Sequence, residues 1–153
     1  MIDEEEMNRF KPKDAAFRER VKSSFDRQQC MATLGISISK IEPGIIELTM
    51  PYMEPYTQQH GFIHAGIVTT AMDSACGYAA FSLMPLEAAV LTVEYKINFL
   101  APARGEEFLF RAEVVKPGRT LTLCDARAYG RTAGSEKLIA TMSGTLMALF
   151  NPS

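Results

Sequence analysis

The sequence predicts an α+β fold in which an antiparallel sheet wraps around one long central helix. Three observations lead to this prediction. A run of small and apolar residues at about 64–83 has helical spacing and lies in the middle of the chain. Two strand-like segments precede it and four follow it, and turn residues separate them. The many alanines, glycines and serines of the run let a sheet approach it closely.

The bulk composition is that of a globular domain. The chain has 153 residues, of which 47% are hydrophobic and 22% charged, so it is long enough to bury a sizeable core. We expect a single domain over residues 1–153, with residues 1–33 as an N-terminal helical extension. The net charge of −2 provides no general attraction to nucleic acid or to an anionic membrane, so neither is expected as a partner.

The start of the chain, its apolar runs and its cysteines indicate where the protein acts and whether it binds a metal. The acidic start lacks the features of a signal peptide, and no uninterrupted apolar run reaches the ~20 residues that span a bilayer. Three cysteines are an odd number at no metal-ligand spacing, which indicates reduced thiols in a cytoplasmic protein. We expect no metal.

The first predicted element is an amphipathic helix over residues 14–29, packed on the outside of the domain, with a short second turn at 30–34. Its apolar face consists of Ala15, Phe17, Val21 and Phe25. Its four cations are expected to form a solvated face; they are Arg18, Arg20, Lys22 and Arg27.

A hairpin comes next, because residues 36–41 and 45–50 flank the turn Pro43-Gly44. The central helix follows, and Pro85 stops it.

The last third of the chain is predicted to be strands. Residues 90–100 alternate apolar and polar, which is typical of a long, half-buried strand. Its buried face would carry Leu91, Val93, Tyr95, Ile97 and Phe99. Residues 108–115 and 120–129 form a second strand pair, and residues 138–150 form the final strand.

One carboxylate interrupts the central helix. Asp73 is the only formal charge in residues 55–86, and an ionised carboxylate is costly to bury without partners. It lies two turns into a helix whose first amides belong to His64, Ala65 and Gly66. The position of Asp73 therefore asks for an explanation.

The triplet His64-Ala65-Gly66, with Asp73 seven residues after the glycine, resembles a known signature. It is similar to the His-Gly-Gly…Asp pattern of hotdog-fold acyl-CoA thioesterases, in particular the phenylacetyl-CoA thioesterase (PaaI) branch. The resemblance covers roughly residues 34–150. It implies the hotdog fold and hydrolysis of a small aryl or short- to medium-chain acyl-CoA. No cofactor is implied, because CoA is part of the substrate.

Thioester hydrolysis needs a group that attacks or activates water, and donors for the oxygen that gains negative charge. Amides at a helix start are unpaired, so the N–H of Ala65 or Gly66 is a candidate oxyanion donor. Asp73 is the candidate general base or nucleophile, and the sequence does not separate these roles. Its alternative is a structural aspartate that hydrogen-bonds a backbone amide or a neighbouring hydroxyl. His64 is interpreted as a structural residue at the helix start, with general base as its alternative.

Asp73 and Ala65 are too far apart to act together within one chain. They are eight residues apart, which is about 12 Å along a helix axis. A carboxylate at this distance can serve a carbonyl only at the start of a partner's antiparallel helix. The site therefore requires a homodimer, which is how the family is built, and a tetramer formed as a dimer of dimers is expected.

The resemblance also implies roles for polar residues near the signature. Gln59 matches the asparagine of the PaaI branch, and Gln58 matches that of another branch; either could equally be an ordinary loop glutamine. Gly61 matches a loop glycine that takes a positive φ. Thr92 aligns with a hydroxyl residue that assists the attacking water, or is an ordinary strand threonine. The chain departs from the family at both glutamines and at Ala65, which stands for glycine.

Two further segments resemble those that hold coenzyme A. Physically, cations at strand ends and turns can meet phosphates, although basic hairpin tips are also common for solubility. The candidate residues are Phe99, Ala101, Pro102, Arg104, Lys116, Gly118, Arg119 and Thr120.

Two other functions are alternatives. A hotdog hydratase or dehydratase uses a catalytic histidine with a proline-rich loop and a longer spacing to its acid, and this chain lacks those prolines. A non-catalytic acyl-CoA binding module would keep the basic turns but could dispense with Asp73. Cys76 is not expected to be a nucleophile, because no cation lies near it in sequence to lower its pKa.

Overall fold

The structure, a computed structural model, describes residues 9–151, and every predicted element is present in it. The acidic start of the chain lies outside these residues. The helices are α1 (Phe17–Asp26), α2 (Gln29–Thr33) and α3 (Ala65–Phe81). The strands are β1 (Ser37–Glu42), β2 (Ile45–Pro51), β3 (Ala88–Phe99), β4 (Glu107–Lys116), β5 (Leu121–Thr132) and β6 (Ser135–Phe150). A short 3-10 helix at Glu54–Tyr56 is an addition to the prediction.

The six strands form one antiparallel sheet in the order β1-β2-β4-β5-β6-β3. The sheet wraps around α3, whose buried face is made of small side chains. Ala71, Ala75 and Ala79 are all fully buried, so the backbone of the helix can lie close to the strands. Large side chains of β2 and β4, such as Leu48 and Phe110, fill the space between them. The predicted hotdog arrangement is confirmed.

Strand β3 differs from its predicted alternation because it contains a bulge. Thr92 pairs with Leu146 and Glu94 with Thr145, so Val93 is an extra residue. Because of it, the side chains that face α3 change from even to odd positions along the strand. The predicted buried face is wrong for Leu91, Val93, Tyr95 and Phe99, whose side chains are about half exposed at the edge of the sheet. The side chain of Thr92 points towards α3 instead.

The N-terminal segment packs over the end of α3. Helix α1 is shorter than predicted, since it begins at Phe17, and Ala15 is exposed before it. The other three predicted apolar residues are buried. They are Phe17, Val21 and Phe25.

The prediction that all four cations of this segment form a solvated face is wrong for Arg20. Its guanidinium donates to the carbonyl oxygens of Phe81, Met84 and Pro85 at 2.9, 2.8 and 2.7 Å. It also lies 4.5 Å from the centroid of the Phe81 ring. The carbonyls of Phe81 and Pro85 also accept a backbone N–H, whereas that of Met84 has no other donor among the described residues, so Arg20 satisfies a group that the turn after α3 leaves open.

Strand β3 forms one edge of the sheet, and β6 is its one neighbour among the described residues. This edge carries several large apolar side chains that are about half exposed. They are Leu91, Val93, Tyr95 and Phe99. Long apolar edges favour pairing with another strand. Within residues 9–151, none of the helices combines the length and the hydrophobicity needed to cross a bilayer.

Candidate active site

The start of α3 offers one free amide. His64 is the N-cap residue, with φ −56° and ψ 136°, and its Nδ1 accepts a hydrogen bond of 2.8 Å from the N–H of Gly66. The N–H of Ala65 has no acceptor within residues 9–151. Of the two candidate oxyanion donors, Ala65 is therefore available, whereas Gly66 is used by the cap.

The two adjacent glutamines of the loop before α3 have different surroundings. Gly61 takes a φ of 84°, as predicted, and its N–H donates to the carbonyl of Gln58 at 3.0 Å. The side-chain oxygen of Gln58 accepts from the N–H of His60 at 2.5 Å. Gln58 lines a cavity of about 460 Å³ together with Ala65. Gln59 is exposed and does not line this cavity.

Asp73 is half-buried and is held by the strand beside it. Its Oδ1 accepts a hydrogen bond of 2.8 Å from the hydroxyl of Thr92, because the bulge at Val93 turns Thr92 towards α3. Its Oδ2 has no hydrogen-bond partner in the described part of the chain. Both residues line a cavity of about 500 Å³. The carboxylate therefore faces a cavity with one oxygen uncommitted.

The carboxylate and the free amide open into different cavities of the same chain. Asp73 lines the larger one with Thr92, whereas Ala65 lines the one at the start of α3. Their separation along α3 is about 12 Å. Within one chain these groups cannot meet at one carbonyl.

The first group of candidate CoA residues lies at the start of α3. Phe99, Ala101 and Pro102 line the same cavity as Ala65. The guanidinium carbon of Arg104 is 4.6 Å from the centroid of the Phe62 ring, which fixes the direction of this cation.

The second group lies at the opposite end of the sheet. Lys116, Gly118, Arg119 and Thr120 form the exposed connection from β4 to β5. Along β6, Met147 marks this end and Ala140 marks the end near Phe99, a distance of about 24 Å. The two predicted CoA segments of one chain are therefore far apart.

The N-terminal segment contributes to the cavity in a way that the sequence does not predict. Ser24, Arg27 and Gln28 line the cavity that contains Asp73, as does part of Arg20. The hydroxyl of Ser74, next to Asp73, donates to the side-chain oxygen of Gln28 at 3.3 Å. No local motif marks these residues, because only the packing of α1 and the connection after it against α3 brings them to the carboxylate.

The buried thiols are not activated. Burial raises the pKa of Cys76 well above its ordinary value and raises the pKa of Cys124 to about 12. Cys30 is exposed on α2. The expectation that Cys76 is not a nucleophile agrees with this burial, since the thiolate is the reactive form.

Comparison with known proteins places this arrangement in a family. The family model described as the thioesterase superfamily matches residues 60–134, a span that contains Ala65, Asp73 and Thr92. A thioesterase family protein from Silicibacter pomeroyi is 64% identical, with 88% of this chain and 99% of that one covered and a TM-score of 0.87. Acyl-coenzyme A thioesterase 13 of Mus musculus is 30% identical, with 69% of this chain and 74% of that protein covered.

A third match concerns the fold alone. The PaaI protein from the phenylacetic acid degradation operon of E. coli shares 21% identity, with 87% of this chain and 93% of that one covered and a TM-score of 0.79. It agrees with the hotdog arrangement of the sheet around α3. The matches in sequence and fold show that this chain belongs to the thioesterase superfamily and is a thioester hydrolase of the hotdog fold.

Proposed function

We propose that this chain hydrolyses acyl-CoA thioesters to the free acid and CoA, acting on small aryl or short- to medium-chain acyl groups. One observation carries the proposal. The Asp73 carboxylate faces a cavity, with Oδ1 held by Thr92 and Oδ2 without a partner among residues 9–151. A carboxylate positioned in this way has an oxygen available for chemistry.

Asp73 acts on the thioester carbon in one of two ways. As a general base, Oδ2 takes a proton from water while the water oxygen bonds to the carbon. As a nucleophile, Oδ2 itself bonds to the carbon, and water later cleaves the mixed anhydride. In both cases the C–S bond breaks and CoA leaves as the thiolate, while the N–H of Ala65 stabilises the oxyanion. An acyl adduct on Asp73, found by mass spectrometry after rapid quenching, would identify the nucleophile.

The site takes its carboxylate and its amide from two chains. Edge strand β3 carries four half-exposed apolar residues, and it pairs with a second copy of itself about a two-fold axis. An antiparallel pairing centred near Tyr95 and Lys96 brings Thr92 opposite the partner's Phe99. Because Phe99 lines the cavity at the start of α3, Asp73 then faces the partner's helix start.

The same pairing joins the two CoA segments. The cations of the β4–β5 connection, Lys116 and Arg119, come to the same end as the partner's Arg104. These cations bind the phosphates, and the apolar wall of Phe99, Ala101 and Pro102 contacts the pantetheine arm. Gln58 holds the thioester carbonyl or the water, because Gln58 shares the cavity of Ala65 and Gln59 does not.

The outer face of the sheet supports a second level of association. Leu91 of β3 and Leu121 and Leu123 of β5 are each about half exposed there, and the two strands lie on either side of β6. Two dimers join through this face to form the tetramer. The cytoplasmic location and the absence of a cofactor stay predictions from the sequence.

The proposal is tested by a thiol-release assay across short, medium, long and aryl acyl-CoAs. Asp73→Asn is expected to lower kcat at least about a hundredfold, or roughly 3 kcal/mol, because it removes the base or nucleophile. Asp125→Asn is the matched control, since Asp125 is an exposed carboxylate on β5. Three outcomes contradict the proposal: unchanged turnover by Asp73→Asn, hydration of crotonyl-CoA without CoA release, or saturable binding of every probe without turnover.

A further inference from the structure

The chain is anchored at residues 9 and 10 beside the end of β4. The ring of Phe10 packs against the core and lies over Gly44, where an added Cβ would be 3.1 Å from the Cδ2 of that ring. Val114 of β4 borders the same space. The guanidinium of Arg9 donates to the carbonyl of Val115 at 3.5 Å. These contacts hold the start of the described chain next to the connection from β4 to β5.

That connection is basic and open to solvent. It contains Lys116 and Arg119, whose side chains are both exposed. Within residues 9–151 neither cation belongs to an ion pair. They are also the two cations of this connection that the proposed function assigns to the phosphates of CoA. Both can therefore bind an anion that comes close to them.

A run of acids stands just before Arg9 in the sequence. Residues 3–6 are Asp-Glu-Glu-Glu, and residues 1–8 contain no lysine, arginine or histidine. One residue spans at most about 3.5 Å, so the covalent chain alone keeps Glu6 within about 11 Å of Arg9 and Asp3 within about 21 Å. Groups joined by such short spans have effective concentrations of about millimolar. In any conformation, four carboxylates stay close to the basic connection.

We propose that the acidic residues 3–6 weaken the binding of CoA by competing with its phosphates for Lys116 and Arg119. This inference rests on the proposed hydrolysis of acyl-CoA and concerns the regulation of the same site. Carboxylates and phosphates form charge-assisted hydrogen bonds with the same ammonium and guanidinium groups. A phosphate that binds there displaces a tethered carboxylate. The competition acts far from the thioester, so it raises KM and leaves kcat unchanged.

The sign and the salt dependence of the effect follow from the charges. The acids occupy the cations and also repel the phosphates, and both effects weaken the binding of CoA. Salt screens both effects, because the screening length is about 10 Å at 0.1 M ionic strength and about 3 Å at 1 M. The competition should therefore be strong at low ionic strength and absent at about 1 M salt.

The first test removes the four charges and keeps the length of the chain. The neutral variant combines Asp3→Asn, Glu4→Gln, Glu5→Gln and Glu6→Gln. At about 20 mM salt its KM for hexanoyl-CoA should be at least about threefold below that of the parent, because each exposed ion pair contributes a factor of about 1.4 to 5. At about 1 M salt the two KM values should agree. Hexanoyl-pantetheine, which lacks the phosphates, should show the same KM with both proteins at either salt concentration.

The matched control keeps the charges and changes the same four positions. It combines Asp3→Glu, Glu4→Asp, Glu5→Asp and Glu6→Asp, and its KM should equal that of the parent. A double-mutant cycle shows where the acids act. Lys116→Gln together with Arg119→Gln should raise the KM for hexanoyl-CoA, and in that background the neutral substitutions should change KM by less than about 1.5-fold.

Each other outcome overturns the inference. Equal KM values for the parent and the neutral variant at low salt, or a higher KM for the neutral variant, would show that the acids do not compete. A change of the same size with hexanoyl-pantetheine, or one that persists without Lys116 and Arg119, would place their action elsewhere. If hexanoyl-CoA is not cleaved, the proposed function fails separately. The dissociation constants of CoA for the same proteins, measured by calorimetry, then decide the inference by the same ratios.

Discussion

At the scale of single residues, Thr92 controls how the Asp73 carboxylate is presented. Its hydroxyl donates to Oδ1, and the bulge at Val93 makes this contact possible. We expect Thr92→Val to lower kcat by about tenfold, or about 1.4 kcal/mol, since a hydrogen bond to a charged group is lost without loss of volume. Thr92→Ser keeps the hydroxyl and should retain most of the rate. Steady-state kinetics of both variants check this, and equal rates would mean that the contact is only structural.

The three cysteines should differ sharply in reactivity. Near neutral pH the thiolate fraction of Cys124 is very small, because burial raises its pKa to about 12. Burial also raises the pKa of Cys76 well above its ordinary value, so its thiolate fraction is small as well. At about pH 8 a disulfide reagent is expected to label Cys30 quickly and the other two only after denaturation. Counting fast-reacting thiols in the native protein and in Cys30→Ser tests this. More than one fast thiol in the native protein contradicts the burial described above.

At the scale of elements, α1 is fastened to the end of α3 by Arg20. Three hydrogen bonds from one guanidinium, with side-chain exposure of only 13%, connect α1 to Phe81 at the end of α3 and to Met84 and Pro85 just after it. Arg20→Met should lower the free energy of unfolding by about 2 kcal/mol, because the carbonyl of Met84 loses its donor and those of Phe81 and Pro85 each lose one of two. Lys22→Met on the exposed side of α1 is the control. Urea denaturation measures the free energy of unfolding of both variants. Equal losses would show that the hydrogen bonds of Arg20 do not stabilise the fold.

The order and type of the elements were predictable, because each has a clear period in the sequence. The small and apolar residues of α3, and the turns Pro43-Gly44 and Pro117-Gly118, mark the boundaries to within a few residues. The bulge in β3 was not predictable, because apolar and polar residues continue to alternate through Val93 while the strand changes face. Alternation of apolar and polar residues predicts a half-buried strand, but it does not show where a bulge adds a residue to that strand.

The candidate site was predictable only where its residues are close in sequence or share a signature. The helix start and Asp73 were found in this way. The sequence predicts a solvated Arg20, and nothing in it points to Ser24 or Gln28 as part of the Asp73 cavity. Their contacts join residues that are 46 to 65 positions apart, and nothing local reports such a distance.

At the scale of the whole molecule, a site shared by two chains predicts complementation between two inactive variants. Asp73→Asn removes the carboxylate. Ala65→Pro removes the free N–H, and proline is tolerated at the first helical position after the extended His64. Each variant alone should be at least about a hundredfold slower. Refolded together in equal amounts, they should recover about a quarter of the parental activity, because half of the dimers have one intact site.

The control for this experiment is the size of the assembly. Sedimentation should give dimers or tetramers for the parent and for both variants, since neither position lies on β3. A monomeric parent, or a mixture that stays as slow as its components despite forming dimers, would contradict the shared site.

The segment that covers the Asp73 cavity, α1 and the connection after it, has a consequence for how selectivity can change. It contributes no carboxylate or backbone amide to the proposed chemistry, yet Arg20, Ser24, Arg27 and Gln28 supply half of the polar wall. Selectivity and bond cleavage are thus encoded in separate stretches of the gene. Grafting residues 9–33 from a relative, with Arg20 retained, would then exchange one acyl preference for another and leave the hydrolytic machinery intact.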